Sequence, residues 1–249
     1  MTTFPHNSEE SRQLTPGSIK KRVGALARAL DLAVYRGIIP MNPPRQLPRN
    51  FASYGENDGV IILDDIRTRR LEPGEEERLR KVLEKNPDFY DFFEVALETA
   101  MRLSEISTLS WDQVQPNKKT IFLTKTKNGD NRQVPMSSVV KALLERRRKN
   151  SKNPLNEAGE LTGFVFPYFD DNNKIRTSRR ISYYWAQVAK KAHTPDLHFH
   201  DLRHEATCRF YEKTTFTDIQ ISLITGHKDP RMLRRYSNLR GSVLAEAMW

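Results

Sequence analysis

A single cysteine, Cys208, stands in 249 residues, so no intrachain disulfide can brace the fold, and a reducing compartment suits the chain. Lying within a helical stretch, Cys208 is expected as a small buried core residue rather than a reactive thiol. No apolar run is long enough to span a bilayer, which argues against membrane insertion. Nor does the start of the chain read as a leader. Met1 to Arg12 is polar and mixed in charge, without the succession of basic, apolar and small residues that secretion requires, so a cytoplasmic location is expected. No internal repeat or low-complexity tract is present, which excludes a repeat array.

What the chain has in excess is positive charge. Lys and Arg total 41 against 31 Asp and Glu, a formal net charge of +10. That balance suits a polyanion, and nucleic acid is the natural one, because each phosphate neutralised by a cation releases condensed counterions. A membrane-surface role would instead require one strongly amphipathic basic helix with an apolar face. The hydrophobic share of 37% and charged share of 29% describe a water-soluble chain. Its length allows one full hydrophobic core plus a smaller attached unit.

Apolar residues Ile19, Val23, Leu26, Leu30 and Val34 recur at helical spacing over residues 16–37, behind a Thr15 cap with Pro16 in the first turn. The proline-rich run from Pro40 to Pro48 reads as a linker without regular structure. A domain boundary follows, placed at residue 68, with Val60 to Leu63 a short strand in either unit. Residues 1–67 are therefore a short helical region with a linker, and 68–249 the main domain. Helices are expected over 73–85, where Glu75, Glu76 and Glu77 suit the dipole of a first turn, and over 88–101. A short helix capped by Ser104 runs to near Trp111. Residues 120–124 and 132–135 read as two strands joined through Lys127-Asn128-Gly129-Asp130, a hairpin with a lysine at its tip. Further helices are expected over 137–149, 178–192, 200–213, 217–225 and in the segment entering Tyr236. The fold class is mainly α with a small antiparallel β-sheet. Arg146, Arg147, Arg148 and Lys149, ending one of these helices, either face DNA or form a solvated charged surface.

Near the C-terminus, Tyr236 lies nine residues after His227 in the string Gly226-His227-Lys228-Asp229-Pro230-Arg231-Met232-Leu233-Arg234-Arg235-Tyr236, and His200-Asp201-Leu202-Arg203-His204 precedes it. A phenol has an unperturbed pKa of about 10, so a nucleophilic tyrosine needs cations and proton acceptors beside it. Taken singly, an arginine is ordinarily surface charge, a histidine a satisfied polar residue and a helical tyrosine core packing. The ordered set Arg102, Lys127, His200, Arg203, His227 and Tyr236, with Glu105 one helical turn after Arg102, changes those odds. Around it stand Thr99-Ala100-Met101-Arg102-Leu103-Ser104-Glu105-Ile106, then Leu109-Ser110-Trp111, and Lys127-Asn128-Gly129-Asp130-Asn131-Arg132-Gln133-Val134-Pro135. In these strings the chain resembles the tyrosine recombinase (phage integrase) family over most of its length beyond residue 68.

The resemblance implies a tyrosine recombinase catalytic fold and a site-specific recombinase or integrase. Tyr236 would attack a DNA phosphodiester, leaving a 3′-phosphotyrosine linkage and a free 5′ hydroxyl that conserve the bond for rejoining. Arg102 and Arg203 would bind the non-bridging oxygens, where charge accumulates, through planar multidentate hydrogen bonds. His227 would donate to the same phosphate, and His200 would either accept the phenolic proton or hydrogen-bond the phosphate. Lys127 would donate a proton to the departing 5′ oxygen. Glu105 would orient the arginine or histidine side chains from behind. Two permanently charged guanidiniums make a metal dispensable, so neither metal nor cofactor is expected. The implied partners are double-stranded DNA and further copies of the chain, a tetramer on two DNA sites passing through a Holliday junction.

Alternatives remain open at the level of sequence. His200 and His204 have the i, i+4 spacing of zinc ligands, though Arg203 lies between them and Cys208 is the only thiol. The stretch before the linker matches only the closing portion of the family's helical core-binding domain, which questions efficient site-specific recombination more than cleavage. Residues 242–249 could form a short apolar helix, docked on a neighbouring protomer or on the chain's own core. A type IB topoisomerase would use similar chemistry without pairing sites, and a non-catalytic DNA-binding regulator would bind without a covalent adduct.

Overall fold

The computed structural model describes residues 14–49, 51–52, 67–124, 131–169, 173–237, 245 and 248. The Lys127 hairpin tip, the strand expected at residues 60–63 and most of the terminal helix expected at 242–249 lie outside the described residues. The chain divides into two compact units, Met1–Arg67 and Thr68–Trp249. No helix among the described residues is long and apolar enough to cross a membrane.

The first unit is built on α1 (Pro16–Tyr35), whose N-terminus is closed by the Thr15 hydroxyl accepting from the Ser18 N–H at 3.3 Å. The proline-rich run is less irregular than its composition predicts, because Pro43–Gln46 winds into one 3-10 turn. Asn42 pins that turn to α1 by donating to the Ala27 carbonyl and the Asp31 carboxylate, both at 2.7 Å, and Arg45 pairs with Asp31 at 2.6 Å. Ala27 is buried, while Leu26 and Leu32 stay exposed.

The second unit runs α2 (Glu75–Leu83), α3 (Pro87–Thr99), α4 (Leu103–Ser107), β1 (Val114–Gln115), β2 (Thr120–Leu123), β3 (Arg132–Pro135), α5 (Ser138–Lys149), α6 (Lys174–Lys191), α7 (Phe199–Lys213) and α8 (Asp218–Thr225). A 3-10 turn at Pro230–Leu233 and a short α9 (Arg234–Ser237) complete it. The central helix is α3, with Phe89, Phe92 and Phe93 fully buried against Trp185 of α6 and Phe199 of α7. Apolar area of this size is the main driving force for the fold. Charges on the buried faces of α3 are paired: Asp91 holds Arg146 and Arg147 of α5, and Glu94 holds Arg80 of α2 at 2.8 Å. Helix α7 is fastened similarly, since Glu205 takes Arg70 at 3.0 Å and Arg209 at 2.9 Å.

The three strands form one antiparallel sheet in the order β1-β2-β3, with Ile121 opposite Val134 and Leu123 opposite Arg132. Strand β1 is too short to show alternation, so periodicity could not reveal it. Side chains alternate across a strand, and Val134 on the buried face puts Arg132 there too. Two helix starts differ from expectation. Arg102, not Ser104, is the N-cap of α4, because Glu105 reaches back to the Arg102 N–H at 2.7 Å. Helix α6 begins at Lys174 because Asn173 caps it, accepting from the Arg176 N–H at 2.9 Å.

Helix α8 stops at Gly226, which adopts φ +72° and donates its N–H to the Ser222 carbonyl at 2.7 Å. A Cβ there would also approach the Arg132 side chain to 3.1 Å. Gly226→Ala is expected to destabilise the protein by roughly 1–2 kcal/mol from the left-handed backbone alone, read as a lowered urea midpoint. An unchanged midpoint would contradict this account of the turn.

Candidate active site

Helix α4 begins where α3 ends in a tight turn, with Ala100 at φ +52°, and this sets Arg102 and Glu105 beside β3 and the end of α8. Glu105 is the hub. Its carboxylate accepts from Arg132 at 2.6 and 2.8 Å, from Arg102 Nη1 at 3.0 Å and from the Arg102 backbone N–H. Burial alone would raise this carboxyl, but hydrogen bonds and charge from Arg132, followed by those of Arg102, outweigh it and hold the group down at about 2. Arg132 also donates to the Ile224 carbonyl at 2.9 Å and Arg102 to the Gly226 carbonyl at 3.1 Å. One carboxylate thus ties α4 to β3, and the two arginines carry the tie on to the end of α8.

Arg203, on the buried face of α7, has no carboxylate partner among the described residues. Its guanidinium donates to the backbone carbonyls of Ala100 and Thr225, the latter at 2.6 Å. Burial first, then the charge of Arg102, pushes its pKa down to about 9. Beside it stands His227, whose Nδ1 lies 2.7 Å from Thr225 Oγ1. The Thr225 hydroxyl proton is already given to the Ile221 carbonyl at 2.7 Å. In neutral His227 the proton therefore sits on Nδ1, which donates to Thr225, and Nε2 is left as an acceptor facing Arg203 Nη2 at 3.4 Å. Burial, then Arg203, Arg102 and Arg132, depress His227 to about 3.

Tyr236 is 5% exposed and belongs to a small apolar cluster with Cys208, Tyr211, Ile221 and Leu233. Its ring stacks on Tyr211, centroids 5.7 Å apart and planes 16° apart. The hydroxyl lies 2.9 Å from His204 Nδ1. Burial raises the phenol above its ordinary value, and the charges of Arg235 and Arg203 act against that rise. His200, one turn before His204 on the same helix, is exposed. Partial loss of solvent and then the charges of Arg203 and Arg102 hold it below its ordinary value.

The structure therefore gathers Arg102, Glu105, His200, Arg203, His227 and Tyr236 into one electrostatically coupled cluster, while Lys127 lies outside the described residues. Arg146 and Arg147 are engaged by Asp91, and Arg147 also caps the Phe166 ring at 4.7 Å, so these two brace α5 against α3. Arg148 and Lys149 are exposed. Among the described residues no group of three His, Cys, Asp or Glu side chains could hold a metal ion. Sequence reasoning passed over Arg132 and assigned His204 no part in the reaction. For Arg132 a signal existed: strand alternation puts it on the face of Val134, where an arginine requires a buried carboxylate.

The model of the phage integrase family matches residues 69–242. A shufflon-specific DNA recombinase from Escherichia coli is 33% identical over 236 residues, covering 94% of this chain and 54% of that protein. The chain spans about half the length of the curated relatives it matches. Among solved structures, the Tn1549 transposon integrase in complex with circular intermediate DNA superposes with a TM-score of 0.66 at 21% identity, over 95% of this chain and 80% of that one. A lambda integrase from a tetramer bound to a Holliday junction gives 0.57 at 18% identity, over 86% of this chain and 60% of that one. The mainly helical catalytic fold with its small antiparallel sheet is common to them.

The depressed Glu105 carboxyl has a consequence for stability. A carboxyl held lower in the folded chain than in the unfolded one contributes stability above its unfolded pKa and loses it as pH falls through the folded value. From the ordinary 4.5 to about 2, that is on the order of 3 kcal/mol. Urea unfolding of wild type and Glu105→Gln between about pH 5 and pH 2 should show wild type losing more stability than the variant. Parallel declines would contradict the proposed hub.

Proposed function

The chain belongs to the phage integrase family, and from that premise and its cationic cluster we propose that it is a site-specific DNA recombinase working through a 3′-phosphotyrosine intermediate. The observation that carries the reading is one of charge and geometry together. Arg102 and Arg132 share one carboxylate, Glu105, while Arg203 is held by backbone carbonyls alone, so the cluster sets three guanidiniums against one carboxylate beside a tyrosine hydroxyl. Such an excess of buried positive charge is costly until an anion enters it. A DNA phosphodiester is the anion that suits both the cluster and the chain's net charge of +10.

In the proposed reaction Tyr236 Oη attacks phosphorus, the bond from phosphorus to the 5′ oxygen breaks, and Lys127 gives that oxygen a proton. Arg102 and Arg203 bind the non-bridging oxygens, on which charge grows in the transition state. His227, an acceptor in its neutral form, donates to the phosphate once protonated, a state the arriving anion favours by offsetting the guanidiniums that depress it. His200 adds a further contact to the phosphate. Rejoining reverses these steps on a different 5′ hydroxyl. No metal takes part, since the guanidiniums supply the charge.

The partners in this reading are double-stranded DNA and further copies of the chain, a tetramer on two DNA sites. Relatives caught on circular intermediate DNA and on a Holliday junction support it. Arg148 and Lys149 serve as DNA contacts in this reading, with Arg146 and Arg147 bracing the helix that presents them. The first unit acts as the closing part of a core-binding domain, and the protein works in the cytoplasm on the nucleoid.

Incubation with a nicked suicide duplex in the presence of a chelator should give an SDS-resistant DNA adduct, and Tyr236→Phe should give none while still binding DNA. Tight binding by wild type without an adduct would sink the enzyme reading.

A further inference from the structure

The proposed reaction leaves the phenolic proton without a fixed destination. We propose that His204 is its acceptor: His204 Nδ1, 2.9 Å from the Tyr236 hydroxyl, takes the proton as Oη bonds to phosphorus. The inference rests on the recombinase reading and adds to it a base, adjacent to Arg203 in sequence, that neither the family resemblance nor the charge pattern assigned.

The tautomer of the ring sets the direction of the bond. The Thr68 backbone favours the protonated form of the His204 ring, as a carbonyl does, and a carbonyl can only accept. A neutral ring that directs Nε2–H toward that carbonyl has its lone pair on Nδ1. The Tyr236 hydroxyl is then the donor in the 2.9 Å contact. The two rings lie 5.1 Å apart between centroids, with their planes at 44°. Thr68 is the first residue of the second unit, and Arg70 just beyond it is bound by Glu205, immediately after His204 on α7. The orienting carbonyl is thereby anchored to the helix that carries the base. His200, the earlier candidate for this proton, has no described contact with the phenol.

A base must also be neutral before it acts. Burial and then Arg235 of α9 lower the His204 pKa, with a smaller effect from Arg70; the Thr68 carbonyl and Asp201 act in the opposite direction. The balance holds His204 below its ordinary value, in the direction a base requires. During cleavage the bond from Oη to phosphorus forms, the bond from phosphorus to the 5′ oxygen breaks, and the phenolic proton passes to Nδ1. The resulting imidazolium faces Thr68 with one N–H and the new phosphotyrosine with the other. The departing oxygen takes its proton from Lys127, and rejoining returns the first proton from Nδ1 to the phenol.

The test is single-turnover adduct formation by wild type, His204→Asn and His204→Gln across about pH 5–9. Two duplexes are used: an ordinary one, and one whose scissile 5′ oxygen is replaced by sulfur. DNA binding and thermal melts are run alongside to confirm that each variant folds. His204→Asn places an amide oxygen near the Nδ1 position, where it accepts the phenol's hydrogen bond but not its proton. It should cleave about 10²–10⁴-fold more slowly near neutral pH, with a rate that keeps climbing as pH rises. Sulfur leaves without a proton, so it should rescue Lys127→Ala but neither His204 variant. A folded, DNA-binding His204→Asn or His204→Gln that cleaves within about threefold of wild type would overturn the proposal. Faster cleavage, or rescue of a His204 variant by sulfur, would overturn it equally. No adduct from wild type on either duplex would defeat the recombinase reading, and this inference with it.

Discussion

The structure of the second unit turns on a guanidinium without a carboxylate. Arg203 is 6% exposed, and its described partners are two backbone carbonyls and one histidine nitrogen. Burying a charge this way is tolerable only because the surrounding backbone is shaped for it: Ala100 takes a left-handed conformation at the end of α3, and Thr225 turns its carbonyl inward at the end of α8. After burial, the same charge is what most lowers the pKa values of His227 and His200, and it partly opposes the rise of the Tyr236 pKa. A site held under positive strain at rest gains most when a phosphate arrives, and that is the direction a DNA-cleaving enzyme requires.

Glu105 makes this arrangement compatible with folding. It satisfies Arg102 and Arg132 together, and through their contacts with the Gly226 and Ile224 carbonyls it fixes the end of α8, from which His227 projects. Gly226 lets the chain pass close over Arg132. Packing, charge pairing and backbone geometry therefore converge on the same few residues, so damage to one should be felt by the others. The aromatic core around Phe89, Phe93 and Trp185 lies elsewhere and holds the helices that carry these groups.

Most helices were legible because apolar periodicity and capping residues agree, as at Thr15, Ser137 and Thr217, each of which accepts from an N–H three residues on. The membership of the cluster was legible too, since Arg102, His200, Arg203, His227 and Tyr236 stand in motif strings. What escaped depends on three-dimensional partners. The cap of α4 lies at Arg102 because Glu105 reaches back to it, and intrinsic preference favoured the serine two residues on. The contact of the phenol with His204 Nδ1 was not legible either, because His200 and His204 share one face of α7 and only the placement of α9 decides which of them meets Tyr236. Composition left Arg146 and Arg147 open between a DNA-facing and a solvated surface, and it could not show that both pair with Asp91, buried on a different helix.

The central claim is that the guanidiniums act on the negative charge of one phosphate. It is tested most directly by comparing cleavage of an ordinary duplex with one carrying a methylphosphonate at the scissile position, which removes a charged non-bridging oxygen. Arg102→Ala should slow cleavage about 10²–10³-fold on the phosphodiester and far less, within about tenfold, on the methylphosphonate. An equal loss on both substrates would contradict the account, because it would mean that Arg102 supports the fold of the site and not the charge of the phosphate.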